Sequence, residues 1–149
     1  MKEGYKSQKE QSVHPNTKSY VRQSVSKSDV RLSCLYVNAR SICNKMDSLL
    51  VMVESFQPHI IAVTESWGNA EIDDSELYIT GYTMFRKDRP LDARGGGVLL
   101  FVSEDLGAVE WLPSTKFPEQ TWCRLCINND MELLVGRCLL RLAQQEFVP

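Results

Sequence analysis

The sequence is poor in histidine and has no long apolar stretch. Histidine occurs twice in 149 residues, at His14 and His59. The longest uninterrupted apolar runs, 49–53 and 98–102, are five residues each. A helix that crosses a bilayer needs about 20, so no membrane span is expected. The N-terminus lacks the apolar region of a secretory signal. The formal net charge is −2, which argues against a strongly basic protein that holds nucleic acid by bulk electrostatics. What is present is ordinary: 43% hydrophobic and 24% charged residues. That is enough apolar material for a core, and the length suggests one domain.

The charge is unevenly spread. Residues 1–29 hold six Lys or Arg against three Asp or Glu, and the remaining 120 hold eleven against sixteen. The N-terminal lysines are scattered singly among six serines, without periodicity. Such a segment reads as a solvated, disordered Ser/Lys-rich tail over 1–29, not as a dense basic arm. The five cysteines (Cys34, Cys43, Cys123, Cys126, Cys138) are odd in number. With no signal peptide they point to a reduced, intracellular compartment and not to a disulfide framework. Trp122-Cys123-Arg124-Leu125-Cys126 has the outline of a redox motif, but it lies in a β-like run. There, residues three apart point to opposite faces. Structural cysteines are expected.

From Val30 onward periodicity appears. Residues 31–37 read as a buried strand. Ile42, Met46, Leu49, Leu50, Val53 and Phe56 recur at helical spacing, with Ser41 or Asn44 as candidate cap and Pro58 as stop. Residues 59–64 read as a second buried strand. Strand, helix, strand over some 35 residues is a βαβ unit, whose strands lie parallel. After an acidic loop (Glu71, Asp73, Asp74, Glu76), strand-like pieces fall at 77–79, 82–86, 98–102, around Trp111, and at 121–127 and 132–138. Asn128-Asn129-Asp130 reads as a hairpin turn. The fold class is α/β.

Parallel strands deliver their C-terminal ends to one sheet edge, where open α/β sheets place ligands. These ends carry Asn38 and Glu65. An amide beside a carboxylate can serve a hard divalent cation, since Mg²⁺ is often held by one or two carboxylates plus water and phosphate. On spacing alone, a turn residue at Asn38 and a solvated side chain at Glu65 are the plainer readings. The Arg94-Gly95-Gly96-Gly97 loop leads into a strand and lacks the following helix of a phosphate loop, so we read it as structural. Trp67 could stack on a base, but packing is the plainer reading.

The residue strings carry more than the spacing. Val37-Asn38-Ala39-Arg40-Ser41, Asn44-Lys45-Met46-Asp47 and Pro58-His59-Ile60-Ile61-Ala62-Val63-Thr64-Glu65-Ser66-Trp67 come first. They are followed in order by Gly81-Tyr82-Thr83-Met84-Phe85-Arg86-Lys87-Asp88-Arg89 and Arg94-Gly95-Gly96-Gly97-Val98-Leu99-Leu100-Phe101-Val102. Together they resemble the endonuclease domain of LINE-type (non-LTR) retrotransposons, of the endonuclease/exonuclease/phosphatase superfamily. The resemblance spans about residues 30–136. It implies the first half of a four-layer α/β sandwich over 30–138, followed by a divergent C-terminal tail at 139–149. It implies Mg²⁺-dependent cleavage of DNA phosphodiesters, with DNA as partner. It also implies catalytic roles for Asn38, which would orient nucleophile or phosphate, and for Glu65, which would ligate the metal. Substrate-binding residues beyond these are not identified.

The chain departs from the pattern after Gly136. Arg137-Cys138-Leu139-Leu140-Arg141-Leu142 has leucine where the family has tyrosine, and the later Gly-Asp-Phe-Asn and Ser-Asp-His motifs do not occur in the 149 residues. The expectation is therefore a degenerate, inactive fragment; the alternative is a non-catalytic protein- or nucleic-acid-interaction module. A sheet whose inner face lacks its covering half would expose Val98, Leu100 and Val102 and favour self-association through that face.

Overall fold

The computed structural model describes residues 20–25, 31–91, 95–114, 119–128 and 131–138. Two sheets and one α-helix make up these parts. The strands are β1 (Tyr20–Val25), β2 (Arg31–Asn38), β3 (Ile60–Thr64), β4 (Tyr82–Lys87), β5 (Val98–Ser103), β6 (Val109–Glu110), β7 (Gln120–Asn128) and β8 (Met131–Cys138). The helix α1 is Met46–Phe56. The first sheet runs β1-β2-β3-β5-β4 and the second β6-β7-β8.

β2 and β3 are parallel neighbours, Cys34 opposite Ile60 and Asn38 opposite Thr64, as the βαβ pattern predicts. Their crossover brings α1 onto one face of the first sheet. Leu49 and Met52 of α1, with Ile42 just before it, are buried there against Leu35, Val37, Ile61, Val63, Leu99 and Phe101. The stripe differs from the sequence expectation at two points. Met52 enters the core, whereas Leu50 (41% exposed) and Phe56 (36%) stay at its margin. The helix also starts later than the stripe does. Cys43–Lys45 forms a 3-10 turn, and neither Ser41 nor Asn44 caps α1. Instead Asn44 Nδ2 donates to Ser41 Oγ at 2.9 Å. At the other end Gln57 takes a left-handed conformation and its N–H closes on the Val53 carbonyl just before Pro58, a C-terminal cap of the usual kind.

Three further expectations are corrected. β1 lies within the stretch read as a disordered tail. It pairs antiparallel with β2 from Tyr20 opposite Tyr36 to Val25 opposite Arg31. The segment has Tyr20, Val21 and Val25 among its six residues, and pairing satisfies backbone groups that β2 would otherwise present at an open edge; the rest of that tail, and the 139–149 tail, lie outside the described residues. Residues 77–79 are not a strand. Asp74–Leu77 is a 3-10 turn closed by a capping box, with Asp73 accepting from Ser75 N–H and Glu76 from Asp73 N–H. The hydrogen bonds from Ser75 lead in holding the Asp73 carboxyl below its ordinary value. Acidic side chains suit the start of a helical turn, and here that local chemistry wins over the β-like Leu-Tyr-Ile.

The third correction concerns the inner face of the first sheet, which is covered. Leu32, Ile60, Phe85, Leu100 and Val102 pack against Cys123 and Leu125 of β7, with Val135 of β8 alongside. The hairpin β7–β8 supplies this cover. Its register sets Cys123 opposite Val135 and Leu125 opposite Leu133. Alternation then sends Trp122, Arg124 and Leu134 to the outer face. There the Trp122 ring occupies the space over Gly136, its register partner, where a Cβ would collide with it. An aromatic ring on a cross-strand glycine supplies the packing that the glycine lacks. Arg137 crosses between the sheets, its guanidinium 4.6 Å from the centre of the Tyr36 ring, a cation–π contact. β5 is sealed on both faces, all five residues from Val98 to Val102 being fully buried. The self-association surface expected on that strand is therefore absent.

The same alternation settles the Cys-x-x-Cys string. Cys123 is buried and Cys126 exposed, and both are free. Burial pushes the Cys123 thiol up to about 11, so it stays protonated at neutral pH and acts as a small apolar core residue. Among the described residues, no helix is long and apolar enough to cross a membrane.

Candidate functional site: the rim at the ends of β2 and β3

Register brings four strand ends to one rim. Asn38 ends β2 opposite Thr64, Thr64 ends β3 opposite Val98, and Lys87 ends β4 opposite the same Val98 at the start of β5. Asn38 and Glu65 therefore stand at one edge of the sheet on neighbouring strands, as the βαβ reading predicts. Asn38 is exposed and Glu65 half-buried. Beyond β2 and β3 the two chains stay bonded: Ala39 N–H donates to the Thr64 carbonyl at 2.8 Å, Ser41 N–H to Glu65 at 3.0 Å and Ile42 N–H to Ser66 at 2.8 Å.

Backbone strain concentrates here. Five described non-glycine residues have positive φ, and four of them sit in these two extensions: Arg40 (46°), Ser41 (83°), Glu65 (52°) and Trp67 (55°). Left-handed backbone at such residues costs on the order of 1–3 kcal/mol each and collects at functional sites. The surrounding hydrogen bonds keep them there.

The glycine loop closes the rim. Gly95, Gly96 and Gly97 all have positive φ (71°, 98° and 79°), which explains three glycines in a row. Gly96 carbonyl accepts from Trp67 N–H at 2.8 Å and Gly97 carbonyl from Ser66 N–H at 3.2 Å. In the other direction the loop donates to carboxylates. Gly96 N–H bonds Glu65 Oε2 at 2.9 Å, and Gly97 N–H bonds Glu119 Oε2 at 2.9 Å. The Trp67 indole N–H also donates to Glu65 Oε2, at 2.9 Å. Trp67 is thus neither a core residue nor a free stacking platform: it is 38% exposed and tied to Glu65.

Glu119 went unrecognised in the sequence. It precedes β7, is buried at 7% exposure, and docks the second sheet onto the loop of the first. A lone glutamate outside any motif carries no sequence signal; only the tertiary pairing of Gly97 with Glu119 reveals it.

Arg86 and His59 are committed elsewhere. All five guanidinium N–H groups of Arg86 are spent: on Asp88 Oδ1 (3.0 Å) and Oδ2 (2.7 Å), Asp74 Oδ1 (2.6 Å), and the carbonyls of Ile72 and Asn69 (both 3.1 Å). The Asp88 hydrogen bonds lead in holding the guanidinium charged. Arg86 fastens the 69–74 loop to β4 and has no N–H left for a phosphate. His59 precedes β3 at the end away from Glu65, a strand length of about 16 Å. Its Nδ1 accepts from Ser33 N–H at 3.1 Å and lies 2.8 Å from Ser33 Oγ. A pocket of about 160 Å³ is lined by residues including Lys87, Trp111, Gln120 and Trp122, the two indoles meeting edge to face with centroids 6.0 Å apart.

Two N–H groups on Glu65 Oε2 orient the carboxylate, as hydrogen bonds commonly do for metal-ligating carboxylates. Among the described residues no three His, Cys, Asp or Glu side chains come together.

No family model and no curated protein matches the chain. Its backbone is similar to that of the AP endonuclease LMAP from Leishmania major, known from a crystal structure, with a TM-score of 0.56 at 15% sequence identity. The likeness covers 70% of this chain and 38% of that enzyme; the chain thus matches well under half of the enzyme's length. At this identity the likeness is one of fold: the chain has a mixed α/β, nuclease-like fold similar to that of an AP endonuclease.

Proposed function

We propose that the chain is the N-terminal part of a LINE-type retrotransposon endonuclease domain, descended from an enzyme that cleaved DNA phosphodiesters with Mg²⁺, and that the 149-residue polypeptide does not cleave DNA itself. The carrying observation is the rim, where parallel β2 and β3 bring Asn38 and Glu65 to one strained sheet edge in a fold similar to an AP endonuclease. The ordered strings from Val37 to Val102 support the retrotransposon origin.

Asn38 and Glu65 are the residues we assign to the ancestral chemistry, and DNA is the ancestral partner. In the present chain, the N–H donors on Glu65 Oε2 orient its carboxylate at the rim. General acid–base catalysis also requires a group within hydrogen-bond reach of the reacting oxygen. His59 is held by Ser33 at the opposite end of β3, and Arg86 is fully engaged. Loss of one member of a cooperating catalytic set commonly lowers rates by several powers of ten.

Supercoiled plasmid incubated with the purified chain and Mg²⁺ tests this reading. The expected result is nicking no faster than with Glu65→Ala protein. Mg²⁺-dependent nicking that disappears in Glu65→Ala would refute the inactivity.

A further inference from the structure

The pocket of about 160 Å³ lies beside the rim, where the end of β4 meets the second sheet. Two of its residues place it there. Lys87 ends β4 opposite Val98, the start of β5. Gln120 follows Glu119, whose carboxylate accepts from Gly97 N–H. Two half-buried indoles form its walls. Trp122 is held from two sides: its ring lies over Gly136, and its Nε1–H donates to Gln120 Oε1 at 2.8 Å. Trp111 is its cross-strand neighbour, with Trp111 N–H donating to the Trp122 carbonyl at 3.0 Å. The rings stand at 73° to one another. They make an aromatic corner whose orientation is set before any ligand arrives.

The lining carries few charges. Arg86 borders the pocket but is paired with Asp74 and Asp88. Lys87 and Glu110, both exposed, are the other charged residues of the lining. A single ammonium beside a carboxylate suits a ligand with one anionic group on a largely neutral body, not a polyphosphate. The volume is below the about 300–1,000 Å³ of sites for drug-sized ligands, which fits one ring system and not a base pair. We propose that this corner is a nucleotide-binding site, in which the base stacks on the Trp111–Trp122 pair and its phosphate meets Lys87. Beside the rim, the source of that nucleotide is an unpaired strand, because the bases of a duplex are already stacked on one another. Only the choice of a strand over a free nucleotide rests on the nucleic-acid reading of the rim; the pocket itself uses neither Asn38 nor Glu65.

Fluorescence anisotropy of a dye-labelled oligo(dT) of about eight nucleotides, titrated with the full chain in EDTA, tests the site without cleavage. Wild type is expected to bind at low salt. Trp111→Ala weakens binding about five-fold or more, the lower end of the cost of removing a stacked aromatic, and Trp111→Phe recovers part of the loss. Lys87→Ala lowers the slope of log K against log salt by about 0.7, the share of one phosphate contact on a single strand. Leu50→Ala, on α1, binds as wild type does. Competition with thymidine 5′-monophosphate separates the sources. Displacement only at far higher concentration than unlabelled oligo(dT) assigns the site to a strand, displacement at similar concentration assigns it to a free nucleotide, and both support a nucleotide site. No binding at low salt overturns the proposal, as do Trp111→Ala and Lys87→Ala proteins that bind like wild type with an unchanged salt slope. If Trp111→Ala fails to fold, Trp111→Phe and the exposed Lys87→Ala still decide. Plasmid nicking bears on the rim alone, so the two readings fail separately.

Discussion

Gly97→Ala is expected to destabilise the fold by roughly 2–6 kcal/mol, a large share of the ~5–15 kcal/mol by which a typical domain is stable. Two independent costs combine. The φ of Gly97 is 79°, and an L-residue held in the left-handed region costs on the order of 1–3 kcal/mol. The new methyl group would also land on Ser66 Oγ. Ser66 is buried at 1% exposure and its Oγ accepts from Gly68 N–H at 3.3 Å, so it can move only by giving up that bond. Overpacking of this kind costs about 1–3 kcal/mol. Urea denaturation of Gly97→Ala and of the double variant with Ser66→Ala separates the two. Removing Oγ is expected to restore the steric share and leave the backbone share. Equal stability of the single and double variants would mean that Ser66 is not the obstacle. By contrast, Gly81 (φ 80°) has open space where its Cβ would be, so alanine there bears the backbone cost alone.

Leu100→Ala is expected to cost about 2–5 kcal/mol, the range for truncating a fully buried leucine. Leu100 is fully buried at the centre of the inter-sheet cluster. It pairs with Ala62 on β3 and Phe85 on β4. Cys123 and Leu125 of the second sheet share its cluster. The void left by alanine is bordered on one side by β7, so it loosens the docking of the two sheets as well as the first sheet itself. Leu50→Ala on the exposed margin of α1 is the control and is expected to fall within about 1 kcal/mol of wild type. Comparable losses at Leu100 and Leu50 would contradict the placement of the core between the sheets.

Much of the first sheet is legible in the sequence. The continuous apolar run Ile60-Ile61-Ala62-Val63 reads as a strand covered on both faces, and the stripe from Ile42 reads as the crossover helix, because burial periodicity is a local property. Asn38 and Glu65 follow directly: parallel strands must end on the same edge. Non-local relations were not legible. The alternation in β7 shows that Cys123 and Leu125 share a face, but not which sheet that face meets; hence Val98, Leu100 and Val102 were expected to lie bare. Glu119 is invisible for the same reason, since its partner is a backbone N–H 22 residues away. The triple glycine reads as structural, and which side chains it meets, Glu65 after β3 and Glu119 before β7, is a tertiary matter. Tyr20–Val25 has β-forming residues, but its Ser- and Lys-rich surroundings mask them, and it becomes a strand only because β2 offers an edge.

The docking of the second sheet on the first is the point on which the fold, the burial of β5 and the Glu119 contact all depend. Native-state hydrogen exchange of β5 and β7, read by mass spectrometry under increasing urea, tests it most directly. Both faces of β5 are buried and both its edges are paired, with β3 and with β4; Cys123 and Leu125 of β7 are buried in one cluster with its Leu100 and Val102. The expected result is strong protection in both strands, lost together in one transition as a single cooperative unit. Free exchange of β7 while β5 stays protected would show an undocked hairpin and contradict the two-sheet fold.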